Sequence, residues 1–219
     1  MRPEARVLEW TEYVKFFVAL FVIADPIGAI PLFLGVTAEE TASRRNRTAH
    51  VVGVAVAVAF VASALAGQHL LRLFGITMPS FRIGAGILVL LMAIDMLNAR
   101  MSGTKSSPEE AREAESRDSV AVVPLAIPLV AGPAAMSTVI LYAQHSHLWM
   151  HRLMVCMIAV LVAGVTWMTL RLAGALGRHL GKTGVNIASR VMGLLLAAVA
   201  VEFIANGAKE LFPVLMKGP

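Results

Sequence analysis

The sequence predicts an all-α polytopic membrane protein: six transmembrane helices as two inverted three-helix repeats, with the first and fourth helices broken. Three observations lead there. The 219-residue chain is 58% hydrophobic and 15% charged, with a mean hydropathy of +0.74, whereas soluble domains run near half apolar and about a quarter charged. Six apolar runs approach the length of about 20 helical residues that a bilayer requires. The motifs of the first half then recur, in order, in the second.

The six runs cover about 13–35, 50–72, 80–98, 120–143, 153–174 and 187–207, each long enough to span. The second could extend through "HLLRLFG", or that stretch could lie at the interface. Polar segments connect the runs. "TAEETASRRNRTAH" joins the first two, and "NARMSGTKSSPEEAREAESRDS" joins the third and fourth. In the latter, Ser107 can cap a short surface helix starting at Pro108; a solvated linker is the plainer reading. The chain therefore divides into a first three-helix repeat over 1–98, a polar cytoplasmic linker over 99–119 and a second, inverted repeat over 120–219.

The formal charge is +5, and the basic residues fall mostly between apolar runs, so topology explains them better than nucleic acid does. Eleven of the 19 Lys and Arg residues lie in the odd-numbered connections, among them Arg44, Arg45, Arg47, Arg112, Arg171 and Arg190. The positive-inside rule then places both termini outside. Trp10, Tyr13, Tyr142 and Trp149 sit near predicted ends, where interfacial anchors belong. No small-residue cleavage site follows a short apolar core, so the first segment reads as retained. The single cysteine, Cys156, excludes an internal disulfide and reads as a small buried hydrophobe.

The repeat rests on two pairs of stretches. "IADPIGAI" matches "VAGPAAMS", so that Ala24-Asp25-Pro26 falls on Ala131-Gly132-Pro133. "GILVLLMAIDML" matches "GLLLAAVAVEFI": Gly86 precedes Asp95 by nine residues and Gly193 precedes Glu202 by nine. Three helices per half is an odd number, so the second half enters from the opposite face, a common transporter plan.

The prolines and the aspartate inside the first run carry the chemistry. A proline within a helix removes a backbone hydrogen bond and costs about 3 kcal/mol. Against lipid such a break is forbidden; inside protein or beside a polar cavity it is tolerated. Asp25-Pro26 and Gly132-Pro133 should therefore face the bundle interior. Asp is a strong N-cap and Pro is favoured at the first helical position, so each pair reads as the start of a second half-helix. Gly28, Pro31, Pro124 and Pro128 loosen the flanks. Two half-helix N-termini, each with roughly +0.5 of a charge, would meet near mid-membrane. Asp25 offers a carboxylate and Gly132 offers bare N–H groups, with Ser137 and Thr138 one turn on. That pair suits a zwitterion, ammonium towards Asp25 and carboxylate towards Gly132. A plain cap with no ligand is the competing reading, and a proton-carrying role for Asp25 is a third.

Asp95 and Glu202 lie near helix ends, either snorkelling to the interface or acting as gates or coupling groups. Asn206 is one turn from Glu202 and could bond it. Gly84, Gly86, Ala197, Ala198 and Ala200 suit close helix packing. His145, His147 and His151 cluster in a short connection that reads as solvated, with no carboxylate or cysteine beside it to complete a metal site. No phosphate loop, zinc-protease or nucleophile-elbow motif is present, so neither cofactor, metal nor enzymatic activity is expected.

"ADPIGAIPLFLGVT" followed by "VPLAIPLVAGPAAMSTVIL" resembles the MarC family of bacterial inner-membrane proteins, within the LysE superfamily of small exporters. The similarity extends over "FRIGAGILVLLMAIDML" and "SRVMGLLLAAVAVEFI", nearly the whole chain. The resemblance implies six helices in two inverted halves and export of small neutral amino acids of the alanine and glycine class. Its motif residues fall on Asp25, Pro26, Gly28, Pro31, Pro124, Pro128, Gly132, Pro133 and Ser137. The chain departs at Ala29, where Asn is common in the family, at Ala134, where Gly is common, and at Glu202, where Gln is common. The first two remove polarity and backbone freedom from the site, and the third adds a charge.

The expected function is thus secondary transport by alternating access, with proton coupling compatible. A non-transporting membrane scaffold or assembly factor is the alternative. The expected partners are the lipid bilayer and a small neutral amino acid, with no nucleic acid; a homodimer is a compatible assembly.

Overall fold

The computed structural model describes residues 10–38, 40–98, 130–146 and 148–212. Within them the chain forms seven helices: α1 Trp10–Ala24, α2 Ala29–Val36, α3 Ala42–Leu73, α4 Met78–Leu97, α5 Pro133–Ala143, α6 Trp149–Arg171 and α7 Ala173–Leu211. The linker over 99–119, with Ser107 and Pro108, lies outside the described residues, as do Pro124 and Pro128. No strand occurs among the described residues.

Local chemistry sets the helix ends. Thr41 stands in extended backbone and its Oγ1 accepts from the Arg44 N–H at 3.4 Å. That cap starts α3 inside the polar connection, well before the apolar run at position 50. "HLLRLFG" continues α3 to Leu73. Gly75 then stops it with φ +66°. The Ile76 N–H donates to the Leu71 carbonyl at 2.9 Å and the Gly75 N–H to that of Arg72 at 3.1 Å, a Schellman end that needs a left-handed residue. Thr77 caps α4 in the same way as Thr41, with Pro79 in its first turn. The connection expected between the fifth and sixth runs is instead helical: α7 starts at Ala173 and is interrupted only by Gly181, at φ +61°. Ala, Leu, Arg and Lys are good helix formers, so polarity alone did not make this stretch a loop.

Four helical segments are long and apolar enough to cross a membrane: α3, α4, α6 and the Asn186–Leu211 part of α7. Counting α1 with α2, which meet at a 44° bend, as one broken span makes five. Of the expected fourth span, only residues 130–143 are described.

The core is one contiguous cluster that includes Phe16, Leu20, Ile23, Ala29, Phe33, Val52, Phe60, Val89, Ala131, Ala135, Val155 and Leu196. Val58, Leu65, Leu91, Ile94, Val160, Leu161, Leu194 and Val201 point outward instead. Exposed apolar surface on that scale suits acyl chains rather than water.

The α4–α7 pair is the most extensive helix contact among the described residues, and its contacts are reciprocal. A Cβ on Gly86 would lie 3.0 Å from the Ala200 carbonyl and 2.7 Å from the Ile204 side chain; one on Gly193 would lie 3.1 Å from the Ala93 carbonyl and 3.2 Å from the Leu97 side chain. Each glycine therefore meets the residues seven and eleven positions after the other. The helices run antiparallel, so Asp95 and Glu202 lie towards opposite ends of the pair. Gly84, by contrast, meets nothing within 4 Å, and the packing role expected of it falls to Gly86 alone.

Candidate functional site

The first span breaks where the prolines and aspartate predict, with different local geometry. Asp25 adopts φ +46°, a left-handed conformation that non-glycine residues seldom take and that Asp tolerates best. Residues 26–28 form a turn, and α2 begins at Ala29 rather than at Pro26. Asp25 still acts as a cap. The Gly28 N–H donates to its Oδ1 at 3.0 Å, and the Ala29 N–H donates to its carbonyl at 3.2 Å. Its side chain is buried at 5% exposure. A Cβ on Gly28 would sit 2.0 Å from Asp25 Oδ2, so only glycine lets the carboxylate fold back over this turn.

At the second pair the structure describes the half-helix that follows it, which starts where Pro133 predicts. Gly132 is the N-cap of α5, in extended backbone with no side-chain cap, and Pro133 opens the helix. The Met136 N–H donates to the Gly132 carbonyl at 3.0 Å. Ser137 and Thr138 are buried on α5. The Thr138 hydroxyl donates to the Ala134 carbonyl at 2.9 Å, which satisfies it within its own helix. Ala24 and Ala29, which flank the Asp25 break, and Ala131 and Ala134, which flank the start of α5, belong to the same core cluster. Pro26 is buried, as expected, whereas Pro133 is exposed, so its ring does not face the bundle interior as expected; Pro31, on the flank, is exposed too.

A cavity of about 540 Å³ opens elsewhere in the bundle, lined by none of the residues of the Asp25 turn or of the α5 start. It is built where the start of α1, the start of α4, the end of α5 and the last third of α7 come together. Its polar lining is Glu12, Lys15, Arg82, Tyr142, His145, Glu202 and Asn206. Val18 and Val22 carry it down α1 to within one turn of Asp25. Lys15 Nζ donates to Glu12 at 2.7 Å, and Arg82 pairs with Glu210. Glu202 thus lines a cavity, and the arginine beside that cavity bonds Glu210 instead. Asn206 shares the lining, but no hydrogen bond joins it to Glu202 among the described residues. Asp95 is half-buried on α4, away from this cavity.

One polar assembly escaped the sequence reading. His151 is fully buried in the first turn of α6, not solvated. Its Nε2 lies 2.7 Å from the Tyr142 carbonyl, which can only accept, so Nε2 carries the proton and Nδ1 accepts from the Tyr13 hydroxyl at 3.0 Å. Tyr142 stacks on Phe16 at 4.6 Å. Tyr13 and Tyr142 are therefore ties between α1, α5 and α6 rather than interfacial anchors, while Trp10 and Trp149 do stand exposed at helix starts. The spacing of Tyr13 and Phe16 on one helix face was the available signal. His151→Phe keeps the volume and removes both bonds. It should cost about 1–3 kcal/mol, read as a lower melting temperature in detergent, with a smaller loss for Tyr13→Phe. His147 lies outside the described residues, and no metal-ligating cluster occurs among those described.

Several apolar spans, one of them broken at a buried aspartate, define an integral multi-pass membrane protein. The family model of the MarC family integral membrane proteins matches residues 10–212, and the chain belongs to that family. It is 40% identical to the UPF0056 membrane protein YhcE of Escherichia coli over 93% of this chain and 95% of the relative. It is 34% identical to the UPF0056 membrane protein YvbG of Bacillus subtilis over 92% and 96%. A UPF0056 membrane protein of Pyrococcus abyssi is 33% identical over 91% and 96%. No solved structure matches the chain.

Proposed function

We propose that this protein is a secondary transporter of the bacterial inner membrane that exports small neutral amino acids of the alanine and glycine class by alternating access. It does so as a non-enzymatic carrier, with six spans in two inverted halves and both termini periplasmic. The observation that carries the reading is the broken first span: a buried carboxylate at a helix interruption is costly in a membrane and belongs to a site by default.

Three further features support it. Asp25 and Gly132, Gly86 and Gly193, and Asp95 and Glu202 are each separated by 107 positions, and the glycine pair packs reciprocally, as two halves related by a two-fold axis would. The positive-φ glycines that interrupt each half, Gly75 and Gly181, differ by 106. The cavity runs from the start of α1 and the last third of α7 towards Val22, one turn before Asp25, as an access path would. In this reading the substrate ammonium turns to Asp25, its carboxylate takes the free N–H groups at the Gly132 end, and Ser137 lies one turn further. Asp95 and Glu202, at opposite ends of the α4–α7 pair, stand where gates for the two faces belong. Proton uptake by Asp25 fits the same geometry.

The test is counterflow in proteoliposomes. Vesicles loaded with unlabelled alanine should accumulate labelled alanine, and Asp25→Asn should abolish the accumulation. Counterflow unchanged in Asp25→Asn would remove the ammonium role. No counterflow with alanine or glycine under any pH gradient would favour a scaffold.

A further inference from the structure

We propose that the cavity at the start of α1 is a binding site of its own, taking a small organic ammonium ion at Glu202. The inference goes beyond the transport reading and rests on groups separate from Asp25 and Gly132.

Charge decides the ligand class. Four ionised side chains line the cavity: Glu12, Lys15, Arg82 and Glu202. Three are already matched, Lys15 by Glu12 and Arg82 by Glu210. Glu202 has neither an ion pair nor a hydrogen bond among the described residues. Its charge bears on Tyr142, as do those of Glu12 and Arg82. His145, in the connection after α5, does not supply the missing cation, because burial and the neighbouring Arg82 push its pKa below the ordinary value. Glu202 is exposed and lines the cavity; within an apolar span a carboxylate without a cation is costly, and a cationic ligand offsets that cost.

The walls decide which cation. Val18, Val22, Leu195, Val199 and Phe203 surround the polar groups, so the cavity favours a cation with an alkyl part. A metal ion would need several oxygen ligands, and none of the described residues form such a cluster. The amide oxygen of Asn206 and the Tyr142 hydroxyl can accept the remaining ammonium protons. The volume of about 540 Å³ lies within the usual range of small-molecule sites.

The probe is ethylammonium, titrated calorimetrically into the full-length protein in detergent micelles. Wild type should bind it. Glu202→Gln should weaken binding about tenfold or more, the worth of one charged hydrogen bond, whereas Glu202→Asp should recover most of the affinity. Asp25→Asn should bind ethylammonium as wild type does, even where it loses alanine counterflow. Propionate, which lacks the ammonium, should not compete, and neither should sodium at equal concentration. Failure of wild type to bind, equal binding by Glu202→Gln, or displacement by sodium would each overturn the site. Because counterflow is read separately, transport without ethylammonium binding would refute this site alone. Ethylammonium binding without counterflow would refute the transport reading alone.

Discussion

Gly28→Ala should destabilise the protein by about 1–3 kcal/mol and remove the geometry of the first break. The added methyl would lie 2.0 Å from Asp25 Oδ2 and 2.7 Å from its Cγ. Gly28 itself has ordinary right-handed backbone, so alanine meets no conformational objection; the cost is purely the collision. Asp25 is short and its neighbours are packed, so the carboxylate must swing off the Gly28 N–H. A buried carboxyl group then loses a hydrogen bond it holds at 3.0 Å. Gly35→Ala is the internal comparison. It lies on the same broken span and meets nothing within 4 Å, so it should be neutral or gain slightly from helix propensity. Melting temperatures of the two variants in detergent read the difference, and counterflow should fall only in Gly28→Ala. Equal melting of the two would show that the carboxylate does not need the turn.

The second large effect lies at the α4–α7 crossing. Gly86→Leu should destabilise by more than about 3 kcal/mol, because the overpacking cost of inserted methylenes is already about 1–3 kcal/mol where the neighbours can relax. Here the nearest atoms include the Ala200 carbonyl at 3.0 Å and the Ile204 backbone nitrogen at 3.1 Å. Backbone of a neighbouring helix cannot rotate aside, so the helices must part, and in a bilayer close packing of small residues is a main source of helix association. Gly84→Leu, two positions away and facing open space, should leave melting nearly unchanged. Gly193→Leu should behave like Gly86→Leu, since it meets the Ala93 carbonyl at 3.1 Å. Loss of monodispersity on size exclusion by Gly86→Leu and Gly193→Leu, but not by Gly84→Leu, is the measurement.

These cases show why some features were legible in the sequence. A proline after Asp25 or Gly132 changes the backbone whatever surrounds it, so the break at Asp25 and the start of α5 could be placed to within a few residues. Apolar runs report their own length. Even so, the exact start of α2 at Ala29 depended on Asp25 taking a positive φ, a strained choice that local preference would not favour.

The broken first span and the helical class follow from effects that act within a few residues along the chain. The cavity does not. It needs the starts of α1 and α4 beside the ends of α5 and α7, and those segments lie far apart in sequence. Whether Tyr13 anchors at an interface or bonds His151, and whether Arg82 pairs with Glu202 or Glu210, turns on how the helices cross. Crossing depends on which small residues let two backbones approach, and that is a property of pairs of helices rather than of any one of them.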